Sequence, residues 1–249
     1  MKKSLFLAAA FVGSGIVTSP VLASGFVNGG FESGDWTGWT QGGGYWNGGA
    51  VSPTDYLPGG ANYNMSGNKS AIVGVGNDPI TGKSMVLSGN YAARINDSSP
   101  NYHVSVISQT VTNYTDPNIY FAWSAVLEAS HGVGDSDYFS LKLTDNTVGD
   151  VLYQVSYDSA STPGFFQTIG NWYYSDWQIQ NLNVSGRIGH DFTLTLLGSD
   201  CPYGAHGGYV YLDGFGSALP VPEPETYVML LAGLGLVGFM ARRRKELAV

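Results

Sequence analysis

The amino-acid sequence predicts an all-β fold, a jelly-roll β-sandwich ectodomain with a hydrophobic segment at each end of the chain. Its 249 residues include 35 glycines and are 13% aromatic but only 12% charged. This composition is typical of extracellular β domains, because glycine permits positive φ at turns and aromatic side chains favour pleated surfaces. Apolar and polar residues alternate with a period of two in several segments, and turn-forming residues separate them. Before residue 221 no segment shows a helical period.

The first element is predicted to be a secretory signal peptide, residues 1–23. Two lysines precede an apolar stretch at residues 5–17, and small residues follow as far as Ala23. This order is typical of a signal peptide that is cleaved after the last small residue. A stretch of about 13 apolar residues is too short to cross a bilayer comfortably, so we expect export rather than a retained transmembrane helix.

Residues 24–218 are predicted to form one domain, since their number lies within the range of a single β-sandwich. In residues 151–158 the odd-numbered residues Val151, Tyr153, Val155 and Tyr157 are expected on one face of a strand. The segment 41–68 is rich in Gly, Asn and Tyr and is predicted to be a long surface loop. About eight strands are expected. The others are predicted at residues 91–95, 103–111, 121–127, 139–143, 177–184, 192–196 and 209–212.

The predicted ectodomain is strongly acidic. Of the 11 Lys and Arg and the 19 Asp and Glu of the chain, five and sixteen lie in residues 24–218, which gives a net charge of −11 there against −8 for the whole chain. Nucleic acid is not expected as a partner, because phosphate binding depends on clustered cations. Divalent cations and neutral polymers suit such a surface better.

Nucleophiles and metal ligands form no recognisable motif. Cys201 is the single cysteine, so it cannot form an intramolecular disulfide, and no histidine stands at a suggestive spacing from it. We interpret it as a structurally incidental thiol, with an intermolecular disulfide as the alternative. The motifs GxSxG, HExxH and CxxC are absent from the sequence. The four histidines are far apart along the chain: His103, His131, His190 and His206.

One acidic segment spans residues 128–137. It holds Glu128, His131, Asp135 and Asp137, and the two aspartates have DxD spacing. The other ligands of an EF-hand loop are missing. We therefore predict a solvated loop rather than a calcium loop at this place.

The last element of the chain has three parts. Pro222, Glu223 and Pro224 begin it, and the two prolines predict an extended, accessible strand because they fix φ and lack N–H donors. An apolar run at residues 227–240 predicts a transmembrane helix. This helix is short, because about 20 residues are needed to span a bilayer comfortably. A basic cluster follows and is expected to act as a membrane stop-transfer signal on the cytoplasmic side: Arg242, Arg243, Arg244 and Lys245.

Residues 221–245 resemble the PEP-CTERM sorting domain of Gram-negative bacteria. The resemblance implies that Pro222, Glu223 and Pro224 are the sorting motif for an exosortase, a membrane processing enzyme of bacteria that make extracellular polysaccharide. It implies a precursor anchored transiently in the inner membrane, with the ectodomain facing the periplasm. The processed protein is then expected at the cell surface or outside the cell. The alternative is a plain C-terminal membrane anchor.

The two ends of the predicted sandwich resemble the galactose-binding-like jelly rolls, which include many carbohydrate-binding modules. The resemblance rests on residues 28–39, which begin NGGFESGD, and on residues 208–215, GYVYLDGF. It implies a structural calcium ion held by Glu32 and Asp213 with backbone carbonyls, since calcium takes about six to eight oxygen ligands. Gly214 departs from the family pattern, which often has an acidic residue or Asn there. The alternative is that Glu32 merely binds backbone N–H groups and that Asp213 ends a strand.

Aromatic residues cluster at two places that suit sugar binding, because aromatic rings stack on the C–H-rich faces of sugars and neighbouring polar groups bind the hydroxyls. Core packing of two or three of the four residues is the alternative for the first cluster. The first cluster, a predicted glycan platform, consists of Trp172, Tyr173, Tyr174 and Trp177. The second consists of Trp36, Trp39, Tyr45 and Trp46.

Two hypotheses of function follow. The first is an exported, non-enzymatic protein of the cell surface or extracellular matrix that is sorted through its C-terminal segment and binds or organises extracellular polysaccharide. The second is a secreted glycan-active hydrolase on the same fold, since many carboxylate pairs are available. A deep cleft with two facing carboxylates favours the hydrolase, and a face of exposed aromatic residues favours binding.

Overall fold

The computed structural model describes residues 25–216 and residue 218, which form a sandwich of two antiparallel β-sheets. These residues contain twelve strands and three 3-10 turns. The strands are β1 (Thr40–Tyr45), β2 (Ala71–Gly74), β3 (Tyr91–Ile95), β4 (His103–Val111), β5 (Asn118–Glu128), β6 (Tyr138–Asp145), β7 (Asp150–Asp158), β8 (Gln167–Ile169), β9 (Trp172–Tyr174), β10 (Gln178–Asn183), β11 (Phe192–Ser199) and β12 (Gly208–Gly216). The 3-10 turns are Pro53–Tyr56, Met65–Gly67 and Ser185–Arg187.

The sheets contain five and seven strands. The five-stranded sheet has the order β1-β4-β11-β6-β7. The seven-stranded sheet has the order β2-β3-β12-β5-β9-β8, and β10 pairs with β5 beside β9. β2-β3, β6-β7 and β8-β9 pair with their neighbours in the chain, whereas the central pairs β4-β11, β11-β6, β3-β12 and β12-β5 join strands distant in sequence, as the crossing connections of a jelly roll require. The predicted all-β sandwich is confirmed.

The core lies between the inner faces of the sheets. Phe121, Trp123, Ala125 and Leu127 alternate along β5 and are all buried, as their spacing predicts. Side chains of β6 and β11 pack against them from the other sheet. The indole Nε1 of Trp123 donates a 2.9 Å hydrogen bond to the Tyr153 hydroxyl, so this large buried ring leaves no donor unpaired.

The predicted strand β7 is present, but one of its side chains lies on the opposite face. Leu143 pairs with Tyr153 and Thr144 pairs with Val151, so a bulge at Leu152 interrupts the alternation. Val151 is consequently 47% exposed, whereas Leu152 packs against the core. The period of two predicted Tyr153, Val155 and Tyr157 correctly but could not predict the bulge.

The prediction of a long surface loop at residues 41–68 was wrong for residues 41–45, whereas residues 46–68 contain no strand and only two 3-10 turns. Residues 40–45 form the edge strand β1, and the following chain covers the outer face of the five-stranded sheet, where Trp46 and Tyr56 are buried against Val104 and Val106. The glycines of β1 permit this cover. A Cβ atom on Gly43 would lie 2.6 Å from the Asn68 nitrogen, so only glycine allows the two backbones to lie this close.

The first and last described segments of the chain lie next to each other. The N–H of Phe215, near the end of β12, donates a 3.0 Å hydrogen bond to the carbonyl of Gly29. The rings of Phe26 and Phe215 pack with their centroids 3.8 Å apart. The N-terminal segment of the described chain therefore closes the same edge of the core at which the chain leaves β12.

The terminal predictions lie outside the described residues. These are the signal peptide at residues 1–23, the transmembrane helix, the sorting motif Pro222-Glu223-Pro224 and the basic cluster at residues 242–245. Within residues 25–216, no helix has the length and apolar character needed to cross a bilayer.

Candidate functional site

The first predicted aromatic cluster lies on the outer face of the seven-stranded sheet. Trp172 and Tyr174 occupy alternate positions of β9, and Trp177 follows in the segment before β10. All three side chains are half-buried and pack against Val126, an outward residue of β5. We call Trp172, Tyr174 and Trp177 the aromatic face.

Tyr173 does not belong to this face, contrary to the prediction. It lies directly opposite Leu127, a core residue of β5, in the antiparallel register of β5 and β9. Opposite residues of an antiparallel pair share a face of the sheet. Tyr173 is therefore on the inner side, and consecutive aromatic residues in a strand cannot all face the same partner.

Two tyrosines of β12 support the aromatic face from its side. The ring of Tyr209 lies 6.4 Å from that of Trp172, and the ring of Tyr211 lies 6.2 Å from that of Trp177. Both tyrosine side chains are buried. The two half-buried indoles are thus held by rings that are themselves buried.

A single carboxylate fixes both tyrosines. Asp78 lies in the loop between β2 and β3, which covers this part of the sheet, and its Oδ2 accepts hydrogen bonds from the hydroxyls of Tyr209 and Tyr211 at 2.6 and 2.7 Å. Burial raises the pKa of Asp78, but the tyrosine hydroxyls and the N–H and hydroxyl of Thr81 outweigh it, and the net pKa lies below its usual value.

Polar groups surround the aromatic face. Lys83 forms a 2.8 Å ion pair with Asp176, and its Nζ lies 5.6 Å from the centre of the Tyr174 ring. The Lys83 ammonium holds the pKa of Asp176 below its usual value. Gln167 donates to Asp176 at 2.8 Å and accepts from the Tyr174 hydroxyl at 3.0 Å. Donors and acceptors that can bind hydroxyl groups therefore lie next to stackable rings.

The second predicted aromatic cluster does not form a platform. Trp39 is buried and stacks on Phe31 with ring centroids 5.1 Å apart, and Trp46 is buried beneath the cover of the five-stranded sheet. Trp36 packs edge-on against the same Phe31 ring. Only Tyr45, at the end of β1, is 42% exposed. Most of this cluster serves packing.

The predicted calcium ligands are neighbours. Asp213 is buried, and its Oδ2 accepts hydrogen bonds from the N–H groups of Leu87 and Ser88 at 2.9 and 3.0 Å. Glu32 accepts from the N–H groups of Asn90 and Tyr91 at 3.0 and 3.1 Å. The loop before β3 thus joins the carboxylates of the first and last segments of the sandwich, which is the arrangement expected without an ion.

Three features of this pair also fit a cation. The Oδ1 atom of Asp213 is buried and has no hydrogen-bond partner. A Cβ atom on Gly30 would lie 3.8 Å from both this Oδ1 and the Cγ of Glu32, so the glycine leaves space between the two side chains. Burial and, to a smaller extent, the Glu32 charge outweigh the hydrogen bonds from the loop and raise the pKa of Asp213 to about 7. An oxygen-seeking cation would supply the missing partner and charge.

Two other carboxyl groups are buried and perturbed. Burial raises the pKa of Asp200 to about 7, against hydrogen bonds from the N–H groups of Asn101 and His103 and from Asn96. Burial also raises the pKa of Asp137 well above its usual value. Among the described residues, neither carboxyl is exposed to solvent, so each is a structural group rather than a surface acid.

The acidic segment at residues 128–137 was predicted to be a solvated loop, and its last residue departs from that prediction. Asp137 is fully buried, whereas Asp135 is exposed as predicted. His131 lies beside Cys201 and His206, and one ligand atom from each of these three side chains lies within 4.8 Å of the others. The sequence spacing around Cys201 did not indicate these two histidine neighbours.

The segment beyond the described residues is identified by its sequence, which matches a known sorting motif. Residues 220–245 match the model of the PEP-CTERM protein-sorting motif. The chain carries a PEP-CTERM sorting motif. The match includes Pro222, Glu223 and Pro224 and extends to the end of the basic cluster, which confirms the predicted PEP-CTERM segment.

The sandwich that precedes the PEP-CTERM motif is similar to carbohydrate-binding modules of known structure. TmCBM61, solved in complex with beta-1,4-galactotriose, is 14% identical with a TM-score of 0.41, over 76% of this chain and 94% of that chain. CBM28, a non-crystalline cellulose specific module, is 13% identical with a TM-score of 0.36, over 78% and 92%. CBM27-1 of Caldicellulosiruptor saccharolyticus, in complex with mannohexaose, is 12% identical with a TM-score of 0.35, over 62% and 83%. No curated protein sequence matches the chain.

Proposed function

We propose that this is an exported, non-enzymatic glycan-binding protein, which is sorted through its PEP-CTERM motif and binds extracellular polysaccharide through the aromatic face. Trp172, Tyr174 and Trp177 stack on sugar rings. Asp176 and Gln167 bind sugar hydroxyls beside them. The role is that of a binding or matrix-organising component of the cell surface.

The observation that carries the proposal is the combination of half-exposed rings and polar side chains on a rigid sheet. The rings are partly open to solvent yet are supported from the side by Tyr209 and Tyr211, so little conformational freedom is lost when a ligand binds. A neutral polymer also suits a domain of net charge −11, which would repel an anionic one.

The PEP-CTERM motif supports the exported location. A motif of this kind is proposed to be recognised by an exosortase while the apolar run holds the precursor in the inner membrane. The basic cluster favours the cytoplasmic side, and the ectodomain then faces the periplasm. After processing, the ectodomain is proposed to reach the cell surface or the extracellular space.

The proposal includes a structural calcium ion held by Glu32 and Asp213. The unpaired, buried Oδ1 of Asp213 supports it, because such an atom in a native protein calls for a partner. The ion would bind carboxylate oxygen atoms of the first segment and of β12 and would offset their negative charge next to the loop before β3. It would thereby stabilise the sandwich without touching the aromatic face.

The proposal is tested by screening the purified protein against an array of neutral and acidic polysaccharides, followed by titration calorimetry with the best ligand. We expect Trp172→Ala and Trp177→Ala each to weaken binding tenfold or more, about 1.4 kcal/mol. Tyr174→Ala should also weaken binding, and its control is Tyr63→Ala, which removes a tyrosine that is 40% exposed in the loop after β1 and not part of the aromatic face. Absence of binding to every glycan, or equal losses with Tyr63→Ala and Tyr174→Ala, would overturn the proposal.

Analysis of the glycan after incubation distinguishes the hydrolase alternative from the binding proposal. Incubation of the bound glycan with the protein should leave its chain length unchanged when measured by chromatography. Shortened products that disappear in a carboxylate variant would replace the binding proposal with an enzymatic one.

A further inference from the structure

Two loops at one end of the sandwich bring together three classical metal ligands that are distant in sequence. The loop of residues 129–137 connects β5 to β6 and contains His131. The loop of residues 200–207 connects β11 to β12 and contains Cys201 and His206. The Sγ of Cys201 and the Nδ1 of His206 are 3.6 Å apart, and the rings of His131 and His206 are 5.0 Å apart.

We propose that His131, Cys201 and His206 bind a transition-metal ion of the zinc and copper class, with three protein ligands and one open coordination position. Thiolate and imidazole are the ligands that this class of ion prefers. The site is separate from Glu32 and Asp213, whose oxygen atoms suit calcium. It does not depend on glycan binding.

The distances between the ligand atoms suit such an ion. Zinc–sulfur and zinc–nitrogen bonds of about 2.3 and 2.0 Å at a tetrahedral angle place sulfur and nitrogen about 3.5 Å apart. The Cys201–His206 separation of 3.6 Å already has this value. His131 lies at the exposed side of the cluster, so its side chain can complete the set with a small movement.

The two loops are held together without the ion, so the ligand set is built into the fold. The Cys201 N–H donates to the His206 carbonyl at 3.0 Å, which closes the loop between the two ligands. Glu128, at the end of β5, donates its N–H to the Gly207 carbonyl at 3.1 Å and accepts the Gly207 N–H through Oε2 at 3.1 Å. The Ser130 hydroxyl lies 3.1 Å from the same Nδ1 of His206, so this hydrogen bond is given up when Nδ1 binds the ion.

Burial changes across the cluster from inside to outside. Cys201 is fully buried, His206 is half-buried and His131 is exposed. A metal ion can therefore reach the thiol through the two imidazoles, and water or a donor group can occupy the outward position. On binding, the thiol proton is released to solvent and the sulfur coordinates as thiolate, while both imidazoles remain neutral.

The sequence composition supports a role other than a disulfide. Cys201 is the single cysteine of the chain, so no second thiol exists with which it could pair internally. Its complete burial also disfavours an intermolecular disulfide. A metal bond to two loops is a cross-link that one cysteine and two histidines are able to provide.

The test is a cobalt titration of the full-length exported protein, purified with a histidine-free tag and kept in excess calcium so that oxygen sites are filled. We expect one equivalent of cobalt to produce the visible bands of tetrahedral cobalt and a near-ultraviolet thiolate-to-cobalt charge-transfer band. Zinc should displace the cobalt and remove both. Cys201→Ser should abolish the charge-transfer band.

The decisive variant is His131→Ala, because His131 is exposed and its loss leaves the core intact. We expect it to weaken cobalt binding at least tenfold, whereas the matched control Asp135→Asn, which changes an exposed side chain of the same loop, should bind as the wild type does. The proposal is overturned if the wild type shows no charge-transfer band with one equivalent of cobalt, or if His131→Ala gives an undiminished band.

Discussion

The hydroxyl of Tyr209 donates a 2.6 Å hydrogen bond to the Oδ2 of Asp78, a residue 131 positions earlier in the chain. The same oxygen accepts the Tyr211 hydroxyl, and the Oδ1 accepts the N–H groups of Ile80 and Thr81. One buried carboxylate thus connects the loop between β2 and β3 to the rings that support the aromatic face. The geometry of that face therefore depends on this loop as well as on its own rings.

Asp78→Ala should destabilise the protein by about 2–3 kcal/mol, because it leaves two buried hydroxyls and two N–H groups without their acceptor. Chemical denaturation followed by tryptophan fluorescence measures the change. Asp135→Ala, which removes an exposed carboxylate, should change the free energy of unfolding by less than about 0.5 kcal/mol. If the two variants lose the same stability, Asp78 does not anchor the loop.

Chelation of calcium should lower the melting temperature of the wild-type protein. An ion present at 100 times its dissociation constant stabilises the native state by about 2.7 kcal/mol. Asp213→Ala should melt at a lower temperature and should no longer respond to chelator, since its carboxylate is a proposed ligand. Scanning calorimetry with and without chelator gives the answer, and a wild type that is insensitive to chelator would exclude the ion.

Stability should fall with rising pH because of Asp137. Burial raises the pKa of this carboxyl above the ordinary 3.8 in the folded protein. Between 3.8 and the raised pKa the folded state therefore holds more protons than the unfolded state, so the contribution is complete below 3.8 and is lost as pH rises. Asp137→Asn should remove this decline, which is at most about 1.4 kcal/mol per pH unit for one group.

Urea unfolding at a series of pH values measures that slope. Asp135→Asn, whose carboxyl is exposed, serves as the control and should keep the wild-type pH dependence. An identical slope in wild type and Asp137→Asn would show that the carboxyl is not buried in the folded protein in solution.

Processing of the C-terminal segment should depend on its two prolines. In the native host, the intact mass of the wild-type protein should correspond to a chain that has lost the residues beyond about 220, as expected for an extended recognition strand cleaved by a processing enzyme. The Pro222→Ala, Pro224→Ala double variant should keep the segment. An uncleaved segment in both proteins would indicate a plain membrane anchor instead of a processed signal.

The sequence predicts the strands that alternate regularly. Residues 91–95 and 103–111 were predicted with the same bounds as β3 and β4, because turn-forming residues flank them. β1 was missed because its three consecutive glycines carry no alternation and resemble a loop. Its pairing is determined by β4 and by the chain that packs on its backbone, neither of which is local information.

Some site residues were likewise predictable from local sequence, whereas others depend on contacts between distant segments. The aromatic face contains three of the four predicted residues, and the fourth, Tyr173, would have been removed by applying the alternation rule within β9. Glu32 and Asp213 were paired by resemblance to a family pattern. His131 could not have been connected to Cys201 from sequence, because 70 residues separate them and only the register of β5 with β12 brings their loops together. The Cys201–His206 spacing within one glycine-rich loop was the available local signal.

The direction of β12 gives the molecule two unlike poles. Its nine residues extend for about 30 Å, from the loop that contains Cys201 and His206 to Gly216. The PEP-CTERM motif begins four residues after that strand ends. The PEP-CTERM segment thus follows the pole at which β12 ends, and the three-ligand cluster lies at the opposite pole. We expect a precursor held through residues 220–245, as proposed, to carry its cysteine–histidine pole on the side opposite to the point of attachment.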